Sequence, residues 1–306
     1  MTSLLLLGLL PLIIAVLGWA LWTPDLRRAV LLARYAGPHD AVFEIAGIRL
    51  WVRDQGDPSA PPIEMLHGFG ASLQTWDRWC EALVSAHRIL CFDLPGFGLT
   101  GPDPTGSYSD ERSLLILAAL LQHIGLERVD LVGHSLGGRY AWEFAAKFPH
   151  SVRRLVLVSP DGFAGNAPAF VLNAGPPAWA PLLRYTMPQI LLWVDLAIAY
   201  GNPRRLRGAI VARYDDMLRA PGVRAALLAR WSQIRVSDPR STLATVSAPT
   251  LIVWGTRDRI VRPSQAQEFA SAIPSSQIEW LAGVGHLPQE ELPLQSVAIV
   301  AKFLRP

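Results

Sequence analysis

"VDLVGHSLGGRYAWEFAAKF", residues 129–148, runs from β-branched and apolar residues into a glycine-flanked serine and on into a helical pattern. Gly133-His134-Ser135-Leu136-Gly137 fits G-x-S-x-G, a spacing that chance alone supplies in about one chain in ten of this length. Its context adds the information: a strand before it and a helix after it. A serine on so sharp a strand-to-helix turn stands above the edge of a sheet, and small neighbours relieve the crowding of a strained backbone. Serine is a weak nucleophile on its own and needs a base, and the base needs an orienting group.

Working outward, the segments around this turn alternate between two kinds. "AVFEIAGIRLWVRDQG" reads as a hairpin turning at Ala46-Gly47, and "IEMLHGF", "RILCFDLPG", "RRLVLVSP", "TLIVWGT" and "QIEWLAG" read as further strands. Several are apolar without alternation, as strands covered on both faces of a parallel sheet are. Helical patterns lie between them: "SLQTWDRWCEALVSA", "DERSLLILAALLQHIG", "PSQAQEFASAI" and "PLQSVAIVAKFL". The alternation predicts an α/β doubly wound, mostly parallel sheet. Residues 162–247 break the rhythm with Pro-punctuated helical pieces and no strand. An insertion there lies over the crevice at the carboxyl ends of the strands, so it is expected to be a helical cap, the alternative being a helical domain apart from the site. The core is then 41–161 and 248–306.

The base is found by elimination among seven histidines. His39 lies in a polar linker; His87, His123 and His150 lie near helix ends; His134 adjoins the serine but is expected to point away; His67 belongs to a glycine-rich loop. His286, in "LAGVGHLPQEE", occupies a glycine-bearing loop between the last strand and the last helix. Asp258 ends "TLIVWGTRD" on the same edge and gives the order Ser135…Asp258…His286. Asp161, after the preceding strand, competes for the acid's role, and Asp93 reads as a structural loop holder. For an oxyanion, the N–H of Leu136 stands at a helix N-terminus. The loop His67-Gly68-Phe69-Gly70 offers the N–H of Phe69, unless it is a plain turn.

"HGFGAS", "DLPGFG", "GHSLGG", "WGTRDRIV" and "GVGHLPQEE" occur in this order, and residues 41–306 resemble the α/β-hydrolase family. The resemblance implies Ser135 as nucleophile, His286 as base, Asp258 as orienting acid, and Phe69 and Leu136 as oxyanion donors. Haloalkane dehalogenases and epoxide hydrolases carry aspartate where Ser135 stands. The N-terminal segment together with "HGF", "D-x-PG" and "SP-x-G" is similar to membrane-anchored monoacylglycerol lipases. These resemblances imply cleavage of carboxylic esters, among them lipid esters such as monoacylglycerol, with no cofactor. A carbon–carbon bond hydrolase of aromatic degradation shares fold and triad and is the alternative. A non-catalytic membrane-binding protein on the same fold is the remote one.

The N-terminus bears on where this chemistry occurs. No charged side chain precedes Asp25, and Leu4–Trp22 is a nearly continuous apolar run of 19 residues. At 1.5 Å per residue it spans ~28 Å, close to a bilayer's hydrocarbon core. Residues 1–24 are expected to be a single-pass transmembrane helix, followed by a juxtamembrane linker over 25–40. Arg27, Arg28 and Arg34 follow the span and none precedes it, which favours a cytoplasmic catalytic domain. A secretory signal cleaved after Gly18-Trp19-Ala20, giving a secreted or periplasmic protein, is the alternative.

Composition narrows the rest. Hydrophobic residues make up 51% and charged residues 17%. The net charge of +3 comes without a Lys/Arg-rich block, which argues against nucleic acid as a partner while allowing a mild attraction to anionic lipid. Cys80 and Cys91 are too few for a disulfide framework and are expected as buried free thiols. Gly96–Gly101 spells G-x-G-x-x-G, but Pro102 and Pro104 forbid the helix that a dinucleotide fingerprint requires. There is no H-E-x-x-H or C-x-x-C, so no metal is expected. In the cap, Phe163, Phe170, Trp179, Trp193 and Trp231 favour an acyl chain over a sugar or peptide.

Overall fold

The hairpin expected at Ala46-Gly47 opens the sheet of the computed structural model, which describes residues 21–163, 176–233 and 237–305. Strands β1 (Asp40–Ile45) and β2 (Ile48–Gln55) pair antiparallel down to Ile45–Ile48. The two residues between them turn through positive φ, 50° at Ala46 and 81° at Gly47, the backbone of a two-residue hairpin matched to strand twist. The remaining strands are β3 (Pro62–Leu66), β4 (Arg88–Phe92), β5 (Val129–His134), β6 (Val152–Val158), β7 (Thr250–Gly255) and β8 (Ser276–Leu281). They form one sheet of order β1-β2-β4-β3-β5-β6-β7-β8, parallel from β4 through β8. After β4 the chain crosses to the other side of β3. The crevice between the carboxyl ends of β3 and β5 is therefore the switch point where doubly wound sheets bind ligands.

Two apolar layers cover the sheet. On one face α3 (Asp110–Ile124), α4 (Leu136–Lys147) and α8 (Ser264–Ala272) bury Leu117, Leu120, Phe144 and Phe269. On the other, α1 (Arg28–Tyr35), α2 (Asp77–Leu83) and α9 (Pro293–Phe303) bury Leu31, Trp79, Val297 and Val300. The ends of α3 follow local signals: Ser109 caps it by accepting from the Arg112 N–H, and Gly125 stops it at φ 77°. With both faces covered, every residue of β5 and β7 is buried, whereas edge strand β8 alternates toward solvent.

Between β6 and β7 the described residues are helical, with α5 (Gln189–Ala199), α6 (Gly208–Leu218) and α7 (Val223–Gln233), and contain no strand. This segment sits over the carboxyl edge of the sheet. The Ala199 carbonyl accepts from the His286 N–H, Arg213 on α6 pairs with Glu290, and Arg230 on α7 donates to the Pro95 carbonyl.

Several expectations need adjustment. The apolar run 4–22 lies, but for Leu21 and Trp22, outside the described residues, as does Phe170. Among the described residues no helix is long and apolar enough to cross a membrane. Within the 25–40 stretch α1 packs on the domain: Leu31 is fully buried, and Arg34 and Tyr35 both donate to Asp216 on α6. "SLQTWDRWCEALVSA" divides into a 3-10 turn over Leu73–Trp76 and α2. His87, near a helix end, is buried with both ring nitrogens unpartnered. Cys80 and Cys91 are buried free thiols, their sulfurs 3.8 Å apart.

Candidate active site

The serine turn is built from backbone that leaves no room for side chains. Ser135 precedes the first residue of α4 with φ 51° and ψ −117°, a conformation that costs a non-glycine residue about 1–3 kcal/mol. It is held there from both sides: its N–H donates to the Val158 carbonyl, and its own carbonyl accepts from the Asp161 N–H. A Cβ on Gly137 would stand 2.3 Å from the Leu66 oxygen and 2.6 Å from that of His67, and one on Gly133 would stand 2.3 Å from the Gly137 oxygen. The two glycines thus allow α4 to start directly against the ends of β3 and β5. A Cβ on Gly68 would lie 3.2 Å from that of Ser135. The His67–Gly70 loop is therefore packed against the serine.

On the same edge His286 and Asp258 meet, each almost fully buried. Nδ1 of His286 lies 2.8 Å from Oδ2 of Asp258. The other carboxylate oxygen accepts the N–H groups of Ile260 and Val261, both at 2.9 Å. Burial works against charge on Asp258, but the His286 ring and these donors outweigh it and hold the carboxyl below its ordinary range. An ionised carboxylate only accepts, so His286 carries its proton on Nδ1 and presents a bare Nε2.

Asp161 lies elsewhere in hydrogen-bonding terms: its Oδ1 accepts from the Gly162 N–H, and its Oδ2 lies 3.9 Å from an Arg139 nitrogen. Phe69 sits in the loop after β3, its side chain half exposed and edge-on to Phe97. Leu136 is the first residue of α4, where N–H groups have no intrahelical acceptor.

Three supports were not legible from the sequence. His134, expected to point away, lies with its ring 4.8 Å from that of His286, and its Nε2–H donates to the His286 carbonyl at 2.8 Å. Burial, reinforced by His286, pushes its basicity down to about 3, so it is a neutral spacer and no competing base. Glu291 accepts from Gly285 N–H with one oxygen and binds the N–H groups of Gly201 and Asn202, tying the His286 loop to the cap. Burial raises the carboxyl of Asp195 on α5, with the nearby His286 ring opposing it. Only the proximity of Glu291 to His286 in sequence hinted at any of these. His67 is fixed by local chemistry: Leu94 N–H donates to Nε2, so Nδ1–H donates to the Gly68 carbonyl, and burial lowers the ring to about 4. Asp93 holds two loops through the N–H groups of Leu73 and Leu99. Burial, the largest influence, lifts it to about 7. Gly96–Gly101 closes a small turn, and no helix begins until Asp110.

Comparison with known proteins agrees with this architecture. Residues 61–293 match the family model described as alpha/beta hydrolase fold. Lipase 1 of Psychrobacter immobilis is 27% identical, the match covering 80% of this chain and 77% of the lipase. A 2-hydroxy-6-oxononadienedioate/2-hydroxy-6-oxononatrienedioate hydrolase of Pseudomonas putida is 31% identical over 84% of this chain and 92% of its own. Among solved structures, a membrane phospholipase A described as a bacterial virulence factor superposes with a TM-score of 0.76 at 24% identity, covering 99% of this chain and 95% of that one.

Proposed function

The chain belongs to the alpha/beta hydrolase fold family, and from that premise we propose that it cleaves carboxylic esters through an acyl-enzyme on Ser135, with lipid esters such as monoacylglycerol as substrates. The observation that carries this reading is the His286–Asp258 pair, whose unprotonated Nε2 belongs to the same sheet edge as the strained serine. Ser135 Oγ attacks the ester carbonyl carbon while its proton passes to His286 Nε2. The developing oxyanion is met by the N–H groups of Phe69 and Leu136, the latter helped by the α4 dipole. The proton then goes to the departing alkoxide as the ester C–O bond breaks. A water molecule, deprotonated by the same nitrogen, attacks the acyl-enzyme; the Ser135 Oγ–acyl bond breaks, Oγ takes the proton back from Nε2, and a carboxylic acid leaves.

The lipid preference rests on the outer surface of the cap. Ile190 and Leu191 on α5 are 63% and 56% exposed, and Trp193, Val194 and Ile198 are also largely in solvent. An apolar surface of that kind beside a catalytic crevice fits an acyl-chain interface. Trp22 stacks on Tyr185 at 5.6 Å, and Thr23 donates to the Tyr185 carbonyl. The end of the apolar 4–22 segment is thus fastened just before α5. In this reading the segment is a single-pass anchor, with the catalytic domain on the cytoplasmic side. The similarity to the P. putida hydrolase favours carbon–carbon bond hydrolysis as the second reading.

A fluorophosphonate probe tests the chemistry: labelling should be covalent and vanish in Ser135→Ala, and labelling that persists in that variant removes the reading. p-Nitrophenyl esters, monoacylglycerols of graded chain length and a vinylogous diketone substrate then separate the two hydrolases. Turnover confined to the diketone would end the lipid-ester proposal.

A further inference from the structure

One contact between the cap and the core carries an unneutralised charge. Arg230 on α7 is only 3% exposed, and its partners are all neutral. Nη2–H donates to the Pro95 carbonyl at 2.6 Å and Nη1–H to the Tyr140 hydroxyl, while the guanidinium lies 5.0 Å from the ring centres of both Phe97 and Tyr108. No carboxylate touches it among the described residues. Taking a cation out of water without an anion is costly, and carbonyl oxygens and aromatic faces are the neutral groups that offset it. The cap is also fastened by the ordinary pair Arg213–Glu290, so a second buried cation is a poor device if stability alone is served.

What Arg230 grips is the turn after β4, and that turn holds the loop after β3. The Leu94 N–H donates to Nε2 of His67 at 2.9 Å, and the Phe97 ring stands edge-on to His67 at 5.4 Å and to Phe69 at 5.6 Å. With Nε2 occupied, Nδ1–H of the neutral His67 ring donates to the Gly68 carbonyl at 2.8 Å. The Ala71 N–H donates to the same oxygen at 3.3 Å. That oxygen shares its peptide plane with the Phe69 N–H. A trans peptide points its N–H opposite to its C=O, so two bonds to the Gly68 oxygen fix the direction of the Phe69 donor. This N–H meets no acceptor among the described residues. Its loop packs on the nucleophile, since a Cβ on Gly68 would lie 3.2 Å from that of Ser135.

We propose that Arg230 is a positioning residue for the oxyanion donor: by clamping Pro95 and Phe97 it fixes His67, and through His67 the peptide that carries the Phe69 N–H. The inference rests on the acyl-enzyme reading above. It makes the seating of the cap a condition for a formed oxyanion hole. Stabilisation of a developing charge falls steeply as a donor is displaced, so a shift of under an ångström at Phe69 is felt in the rate. Arg230 itself acts only through other residues, and its removal should weaken the transition state while leaving ground-state binding intact.

The test uses the full-length chain in neutral detergent, with p-nitrophenyl acetate as substrate and a trifluoromethyl ketone that forms a tetrahedral adduct on the serine. Arg230→Met is expected to lower kcat at least about ten-fold with KM changed by less than about two-fold, and to raise the ketone's inhibition constant in step with the loss in kcat/KM. Arg230→Lys keeps a cation beside the Phe97 ring and should recover part of the rate. Phe97→Leu should also lower kcat, and the double variant Arg230→Met/Phe97→Leu should lose no more than the larger single loss, because both interrupt one chain of contacts. Additive losses overturn the proposal. So does a fall in kcat with the ketone bound as tightly as by the parent, which is a general loosening of the cap. A rise in KM alone assigns Arg230 to substrate contact and overturns it too. Parental kinetics in both Arg230→Lys and Phe97→Leu decide against it even where Arg230→Met fails to fold. Failure of the esterase reading looks different: the parent itself then neither turns over the ester nor reacts with a fluorophosphonate at Ser135.

Discussion

Replacing Asp258 by asparagine isolates what orients the base. In the parent, Oδ1 accepts two backbone N–H groups at 2.9 Å and Oδ2 accepts the Nδ1–H of His286 at 2.8 Å. An asparagine must keep its carbonyl oxygen on Ile260 and Val261, because turning the amide would set an NH2 group against two donors. The NH2 group then faces His286, and Nδ1 must become an acceptor. The ring's only proton moves to Nε2, the position that takes the proton of Ser135 in the proposed mechanism. The histidine is present and correctly placed, but in the wrong tautomer. A loss of about 10⁴-fold in kcat follows, or about 5.5 kcal/mol of transition-state stabilisation. The substitution is isosteric and the Asp258 side chain is buried, so KM for a soluble p-nitrophenyl ester should change little. Steady-state kinetics with the purified variant measure both constants, and an unchanged Tm excludes a folding defect. Retention of activity within ten-fold of the parent refutes the reasoning. So does an equal loss in Asp161→Asn, whose carboxylate makes no bond to the histidine and whose replacement should be silent.

Other perturbations probe the surrounding structure. In Gly137→Ala the new Cβ meets the Leu66 oxygen at 2.3 Å. The serine turn must shift by nearly an ångström, and kcat on a soluble ester should fall about 10²-fold with the protein still folded; near-parental turnover would show that the close approach is not needed. Ile190→Glu and Trp193→Glu on α5 should raise KM for a vesicle-borne monoacylglycerol while leaving p-nitrophenyl acetate hydrolysis unchanged, and equal effects on both substrates would count against a lipid-facing cap. Glu64 is wholly buried with neither oxygen partnered, and burial, with repulsion from Asp54 adding to it, lifts its carboxyl well above the ordinary value of 4.5. The folded state then keeps a proton that the unfolded chain releases, so stability is fullest below pH 4.5 and falls by about 1.4 kcal/mol per pH unit from there up to the raised value. Urea titrations from pH 5 to 8 should show that slope in the parent and its loss in Glu64→Gln, and identical slopes would disprove the assignment.

The sequence by itself determined the elements and their order, because those features are governed by neighbours along the chain. Apolar runs without alternation marked the inner strands β4 to β7, Ala46-Gly47 marked the hairpin, and Gly133 and Gly137 around Ser135 marked a strand-to-helix turn too tight for side chains. Each signal lies within a few residues of what it specifies. The groups that face one another were decided by tertiary structure. Asp161 and Asp258 both follow a strand on the same edge, and nothing local tells them apart. The difference arises because Arg139 on α4 lies beside one, while the loop after β7 carries the other to His286. His134 was silent in the sequence for the same reason, as were the bonds of Glu291 to Gly201 and Asn202, since each acts through a backbone group from a distant segment. That the helix around Leu31 is packed on the domain was likewise decided by tertiary structure, since Arg34 and Tyr35 meet Asp216 only in the fold.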